Sequence, residues 1–280
     1  MSQTPETFFE GPQLELAQLV DQADAEAVFK KAQSMSLEQL NAFGKENMTV
    51  LFYAMEKPPS EQKWYPVMSA LIKAGADPIQ TAGPRNLSFM KVAMGEAYVH
   101  RLGTLKAALD AGVNPDTSVY EDGEAPLITD VADQGGLDAI RLLVEHGADV
   151  NRRDAGGSTA ILDAIATLGL DEVNYLLDHG ADPRIADYYG VSFPYMLSEK
   201  INNLKDLKDS RLPAALAIRD RIVKMGVVWP PENPEQLRAR SKADYKKKTG
   251  KDLIYMPDEG YQAFVPKYVP APVRKVPVLR

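Results

Sequence analysis

Apolar residues recur along this chain at helical spacing and stop at glycines. Ahead of Gly75, Gly112, Gly147 and Gly180 they stand three, four and seven positions back: Ile72, Leu71 and Met68; Leu109, Ala108 and Leu105; Val144, Leu143 and Ile140; Leu177, Leu176 and Val173. This spacing lines one face of an α-helix, so a helix is predicted before each glycine. A glycine just past the last turn takes the left-handed conformation that closes a helix end without steric cost. The strings around these glycines repeat one pattern: Lys73-Ala74-Gly75-Ala76-Asp77-Pro78, Asp110-Ala111-Gly112-Val113-Asn114-Pro115, Glu145-His146-Gly147-Ala148-Asp149-Val150 and Asp178-His179-Gly180-Ala181-Asp182-Pro183. Their glycines are spaced by 37, 35 and 33 residues, the signature of a repeat architecture. A decayed fifth copy, Lys224-Met225-Gly226-Val227-Val228, follows after 46 residues, so its unit holds an insertion of about a dozen residues. In that copy Arg219 interrupts the apolar stripe, as suits an end unit whose outer face meets water.

Between these helices lie shorter ones introduced by turn residues. In Asp122-Gly123-Glu124-Ala125-Pro126-Leu127 the glycine serves a tight turn, and Pro126 suits the first helical turn. In Gly157-Ser158-Thr159-Ala160-Ile161-Leu162, Thr159 is the expected helix cap, and Thr49 has the same role in Gly44-Lys45-Glu46-Asn47-Met48-Thr49-Val50-Leu51. Each unit reads turn, short helix, turn, longer helix, hairpin-like loop. Leu14 to Leu40 reads as a helix pair capping the N-terminal end.

The pattern resembles the ankyrin repeat, most specifically in Gly123 to Asn151 and Gly157 to Pro183. Ala125-Pro126-Leu127 and Thr159-Ala160-Ile161 each keep part of the family's Thr-Pro-Leu-His helix start, and neither has its histidine, which weakens hydrogen bonding between repeats. The resemblance covers roughly residues 12–231. It implies an all-α solenoid of about five to six units with an elongated, curved shape, whose short helices and loop tips bind protein partners.

Three segments follow from this reading: a tether over 1–11, a repeat domain over 12–234 and an extension over 235–280. The extension begins after Trp229-Pro230-Pro231 and Pro234, and Pro257, Pro266, Pro270, Pro272 and Pro277 recur in it. It carries 11 basic and 5 acidic residues, against 21 and 34 in residues 1–234, so an acidic body has a basic end. Leu237 to Lys248 reads as a short basic helix. The rest, with Tyr255, Tyr261, Phe264 and Tyr268, is either a solvated tail or a cap folded back on the acidic repeats. Lys246-Lys247-Lys248 is a solvated charge run, or a contact for phosphate or an anionic surface.

Composition narrows the chemistry. With no cysteine, the chain has no disulfide, thiolate zinc site, iron–sulfur cluster or cysteine nucleophile. A net charge of -7 argues against nucleic acid as the partner. His146 and His179 precede repeat glycines, where histidine complements the helix dipole, and His100 stands alone, so no metal motif is present. Gly135-Gly136 and Gly156-Gly157 belong to repeat turns and form no phosphate-binding loop. No cofactor is expected.

The candidate contacts are three loop tips. Glu121, Asp122 and Glu124 make an acidic finger suited to steering a basic partner, with a plain solvated turn as the alternative. Arg152, Arg153 and Asp154 form the next finger, and Asp187, Tyr188 and Tyr189 the one after. Arginine and tyrosine anchor interfaces, although adjacent tyrosines also suit packing on a neighbouring unit. The loop Lys57 to Pro66 either projects or places Trp64 in the core.

Phe8-Phe9-Glu10-Gly11, Gly44-Lys45-Glu46-Asn47-Met48-Thr49 and Met225-Gly226-Val227-Val228-Trp229-Pro230-Pro231 are similar to segments of bacterial periplasmic ankyrin proteins that act as immunity proteins to type VI secretion phospholipase effectors. That resemblance implies a monomer that neutralises a lipase-like toxin in a 1:1 complex, without catalysis. A general scaffold for another protein is the alternative, and an enzyme using surface carboxylates is the third class. No stretch has the length of a membrane span. Ser2-Gln3-Thr4-Pro5 resembles the tether after a lipoprotein's acylated cysteine, which implies the periplasm; a cytoplasmic start is the alternative.

Overall fold

The computed structural model describes residues 4–58, 61–118, 125–134 and 136–250. Glu121, Asp122, Glu124, Gly135 and the stretch from Tyr255 to Pro277 lie outside them. The chain divides into two compact units, Met1–Asp149 and Val150–Arg280.

The first unit contains α1 (Pro5–Phe8), α2 (Gly11–Asp21), α3 (Ala25–Gln33), α4 (Leu37–Asn41), α5 (Val50–Met55), α6 (Trp64–Lys73), α7 (Phe89–Ala97), α8 (Gly103–Asp110), α9 (Leu127–Asp133) and α10 (Leu137–Glu145). A two-residue strand pair, β1 (Thr81–Ala82) and β2 (Leu87–Ser88), precedes α7. The first and second helices of each repeat pair as α5 on α6, α7 on α8 and α9 on α10. Helices α3, α6 and α8 also pack in sequence, as do α5, α7 and α9.

The second unit contains α11 (Ala160–Ala166), α12 (Leu170–Asp178), α13 (Phe193–Asp206), α14 (Leu212–Lys224) and α15 (Pro234–Thr249). Here α11 packs on α12, α13 on α14, and α12 on α14. The insertion expected in the last repeat lengthens α13 to 14 residues, where α11 has 7. The basic helix read at Leu237 to Lys248 is α15, three residues longer at its start.

The stripes ahead of the glycines form the core. All of their residues are buried except Val144, which is half-buried. Each repeat helix then ends in one way. Gly75, Gly112, Gly147, Gly180 and Gly226 have φ between 86° and 108°. The next amide reaches back to the carbonyl five residues earlier: Ala76 to Leu71, Val113 to Ala108, Ala148 to Leu143, Ala181 to Leu176 and Val227 to Ile222, at 2.9–3.1 Å. This bond satisfies a carbonyl that the helix end leaves without an intrahelical partner.

A second set of bonds ties each loop to the next. The Asn151 side chain donates to the Gly180 carbonyl (3.0 Å) and accepts from the Asp182 amide (2.7 Å). In the first unit Asn41 makes the same pair with Gly75 (3.0 Å) and Asp77 (2.8 Å). Asp116 makes the accepting half of the pair, taking the Asp149 amide at 2.9 Å, so side chains at three of the repeat loops tie each to the loop that follows.

The N-terminal segment is built into the fold. Phe8 and Phe9 are buried, and the Phe9 ring meets Tyr53 edge-on at 5.7 Å. Gly44 lies so close that a Cβ there would stand 2.3 Å from the Phe8 carbonyl. Glu10 and Lys45 pair at 3.3 Å. Of the two places read for Trp64, the structure takes the core: it is 7% exposed at the start of α6.

Thr49 caps α5 as expected, accepting from the Phe52 amide at 3.2 Å. Thr159 occupies the cap position of α11 but makes no capping bond. The amide it would serve, that of Leu162, already donates to the Thr159 carbonyl at 2.8 Å. Its buried hydroxyl finds no partner among the described residues. Leu162, which stands where the repeat pattern has histidine, offers none.

Candidate partner-binding surface

A finger precedes the first helix of each repeat from α7 onward. The first is the β1–β2 pair, with Thr81 opposite Ser88. The others close through single bridges: Ser118 with Pro126, Arg153 with Thr159, and Ala186 with Ser192.

In the Arg153–Thr159 finger, the Asp154 amide donates to the Ser158 carbonyl at 3.0 Å, and the Asp154 carboxylate accepts the Ser158 amide at 2.7 Å. In the next finger the Asp187 carboxylate accepts the amides of Tyr189 (2.9 Å) and Val191 (2.7 Å). Burial pushes the Asp187 carboxyl above its usual range, against the lowering effect of those amides. Both carboxylates therefore shape their turns, the local side-chain bonding for which aspartate suits turns.

The two tyrosines divide the roles that the sequence left open. The Tyr188 amide donates to the Gly156 carbonyl at 2.9 Å, and its ring lies on Gly157 of the preceding finger. Gly157 has φ +80°, and a Cβ there would come within 2.7 Å of that ring. The Arg153 guanidinium sits 5.7 Å from the ring centroid, within cation–π range. Tyr189, 70% exposed, projects to solvent. Arg152 and Arg153 are half-buried. The arrangement joins two fingers through Tyr188 and presents Tyr189 as an exposed aromatic tip on a hydrogen-bonded turn.

One neighbour of this tip carries no local sequence signal. Arg238 of α15 donates to the Tyr189 carbonyl at 2.6 Å. A Cβ on Gly190 would stand 2.9 Å from both Arg238 Cγ and the Pro234 carbonyl. The N-terminal end of α15 is thus seated on the base of the finger.

His146 and His179 follow the last residues of α10 and α12. Their Nδ1 atoms lie 2.8 Å from the Leu142 and Tyr175 carbonyls, so each ring donates back to its own helix end.

Helix pairs joined by tight loops and preceded by bridged fingers define a helical repeat array with a loop-tip surface. Residues 92–187 match the family model of ankyrin repeats as three copies. Among solved structures, the chain is similar to the ankyrin repeat domain of Bcl-3, described as a unique member of the IkappaB protein family. The two are 20% identical with a TM-score of 0.52, over 81% of this chain and 91% of that one. An ankyrin repeat domain from Acinetobacter baumannii AYE is 20% identical with a TM-score of 0.48, over 72% of this chain and 96% of that one. Comparison with curated proteins returned no match. The fold is the ankyrin repeat fold. Ankyrin repeats are protein-interaction modules and in general non-catalytic scaffolds. No helix among the described residues is long and apolar enough to cross a membrane.

Proposed function

We propose that this protein is a non-catalytic immunity protein that binds a secreted lipase- or phospholipase-type effector of type VI secretion, 1:1, and blocks its active site. The setting is the periplasm. The observation that carries the binding surface is the Tyr189 tip, exposed to solvent yet anchored by the Asp187 turn. An aromatic side chain has few rotatable bonds, and here its backbone is held at both amide and carbonyl, so little conformational freedom is lost on binding. Tyr188 joins it to the finger of Arg152, Arg153 and Asp154, and the acidic run Glu121, Asp122 and Glu124, outside the described residues, is proposed as a further contact. The immunity reading rests on the resemblance of three segments, two of which, Phe8 to Gly11 and Gly44 to Thr49, pack against each other through Gly44 and Phe9.

The test is to express the products of the genes adjacent to this one and assay them for lipase activity, with and without the purified chain. Stoichiometric inhibition, weakened by Tyr189→Ala with the fold unchanged, is the expected result. A complex that forms without loss of lipase activity would replace inhibition by scaffolding, and no complex would end the reading.

A further inference from the structure

The helix α15 is unlike every repeat helix. None of its residues is buried. A helix polar all round has no core of its own to hold it, so its place depends on its ends and its charges. Its start is fixed by Asn233 and Gln236, which bond reciprocally in a capping box, and by the Arg238 bond to Tyr189. Its end is closed by Gly250 in the left-handed conformation. Between them stand six basic residues, Arg238, Arg240, Lys242, Lys246, Lys247 and Lys248, against Glu235 and Asp244.

Beside this helix lies a cavity of about 480 Å³. Pro194, Val227, Val228, Pro231 and Leu237 give it apolar walls. Arg184, Arg240 and Glu232 also line it, with Arg240 paired to Glu232 at 2.9 Å and Arg184 to Asp182 at 3.1 Å. Val228 is 79% exposed, a large apolar residue that the fold itself leaves uncovered. A mostly apolar hollow of this size with a few charged groups around it is the usual form of a ligand pocket.

Charge decides what fits. Residues 150–250 carry 16 basic and 14 acidic side chains, where residues 1–149 carry 11 and 22, so the excess of positive charge gathers near α15. The chain's own residues 251–280 carry 5 basic and 3 acidic, the wrong sign for this surface.

We propose that the hollow beside Val228 and Leu237, with the basic helix α15, is a docking site for an acidic peptide segment of a protein partner. One bulky apolar side chain of that segment fills the hollow, and its flanking carboxylates lie along the helix. A central apolar anchor ringed by complementary charge is how short segments gain both affinity and orientation. The site stands apart from the effector reading and does not require it.

The test is selection of a phage-displayed random dodecapeptide library on the immobilised full-length chain. The enriched peptides are then labelled with fluorescein and titrated by anisotropy. Enriched sequences should be acidic around one aromatic or leucine residue and should bind more weakly as salt rises. Val228→Glu places a carboxylate at the mouth of the hollow and should weaken them about tenfold or more. The paired change Lys246→Glu with Lys247→Glu, remote from the Arg238 contact, should weaken them several-fold while leaving the melting temperature unchanged. Three results would overturn the proposal: no enriched sequence, enrichment of neutral or basic peptides, or acidic peptides that bind the Val228→Glu chain equally well. Self-association abolished by Val228→Glu would also overturn it, in favour of a second copy as the occupant. Absence of effector inhibition by the unmodified chain, with peptide binding intact, would count against the effector reading alone.

Discussion

Replacing Asn151 by alanine removes two hydrogen bonds that link one repeat loop to the next. The Gly180 carbonyl loses its donor, and the Asp182 amide loses its acceptor. A typical intramolecular hydrogen bond contributes about 0.5–1.5 kcal/mol net, so the expected cost is about 1–3 kcal/mol. For a chain of this length that lowers the melting temperature by about 2–4 °C per kcal/mol. The structure supplies an internal control, because Asp116 does the accepting half of this work with a carboxylate. Asn151→Asp should therefore keep the bond to the Asp182 amide, lose the one to Gly180, and cost about half as much as alanine. Urea unfolding followed by tryptophan fluorescence and by far-ultraviolet circular dichroism would measure both variants. Repeat arrays do not always unfold in one step, so coincidence of the two probes has to be checked first. If alanine costs less than about 0.5 kcal/mol, or aspartate costs as much as alanine, these bonds do not hold the loops in register.

Leu176→Ala truncates a fully buried residue of α12 and should destabilise by about 2–5 kcal/mol in the same urea experiment. Gly157→Ala meets both a φ of +80° and the Tyr188 ring at 2.7 Å, so it should lower stability and displace Tyr188, read as a loss of aromatic near-ultraviolet dichroism. Arg211 beside Asp209 holds that carboxyl at about 2, below its ordinary 3.8. Its contribution is therefore complete above about pH 4 and is lost as pH falls through about 2. Asp209→Asn should flatten that part of the acid limb when urea midpoints are compared across this window.

What was legible in the sequence is what the backbone demands locally. Glycines at a fixed interval with apolar stripes behind them announce helix ends, because both the left-handed conformation and the helical face are written in neighbouring residues. His146 and His179 were legible for the same reason. The long-range bonds were not. Nothing near Asn41 announces that it will hold a loop more than 30 residues on, and nothing near Arg238 announces Tyr189, 49 residues back. The tyrosine pair shows the limit within one finger. Residue type suggested that both suit an interface, yet Gly157 across the gap draws Tyr188 inward and leaves Tyr189 outside. Thr159 shows the converse: a cap residue in the right position loses its role when the carbonyl of its own residue reaches the amide first.

Gly103 has a further consequence for engineering. No positive φ calls for glycine there, yet a Cβ would stand 2.1 Å from the Tyr65 ring. The Tyr188 ring against Gly157 is the same device in the other unit. In both places the missing side chain belongs to one repeat and the ring that uses the space to its neighbour. The repeats are thus not interchangeable modules. A graft or deletion that separates Tyr65 from Gly103, or Tyr188 from Gly157, exchanges a fitted joint for a collision or a hole. The portable piece in this array is a pair of adjacent repeats, and library designs that vary one finger need to hold its partner glycine fixed.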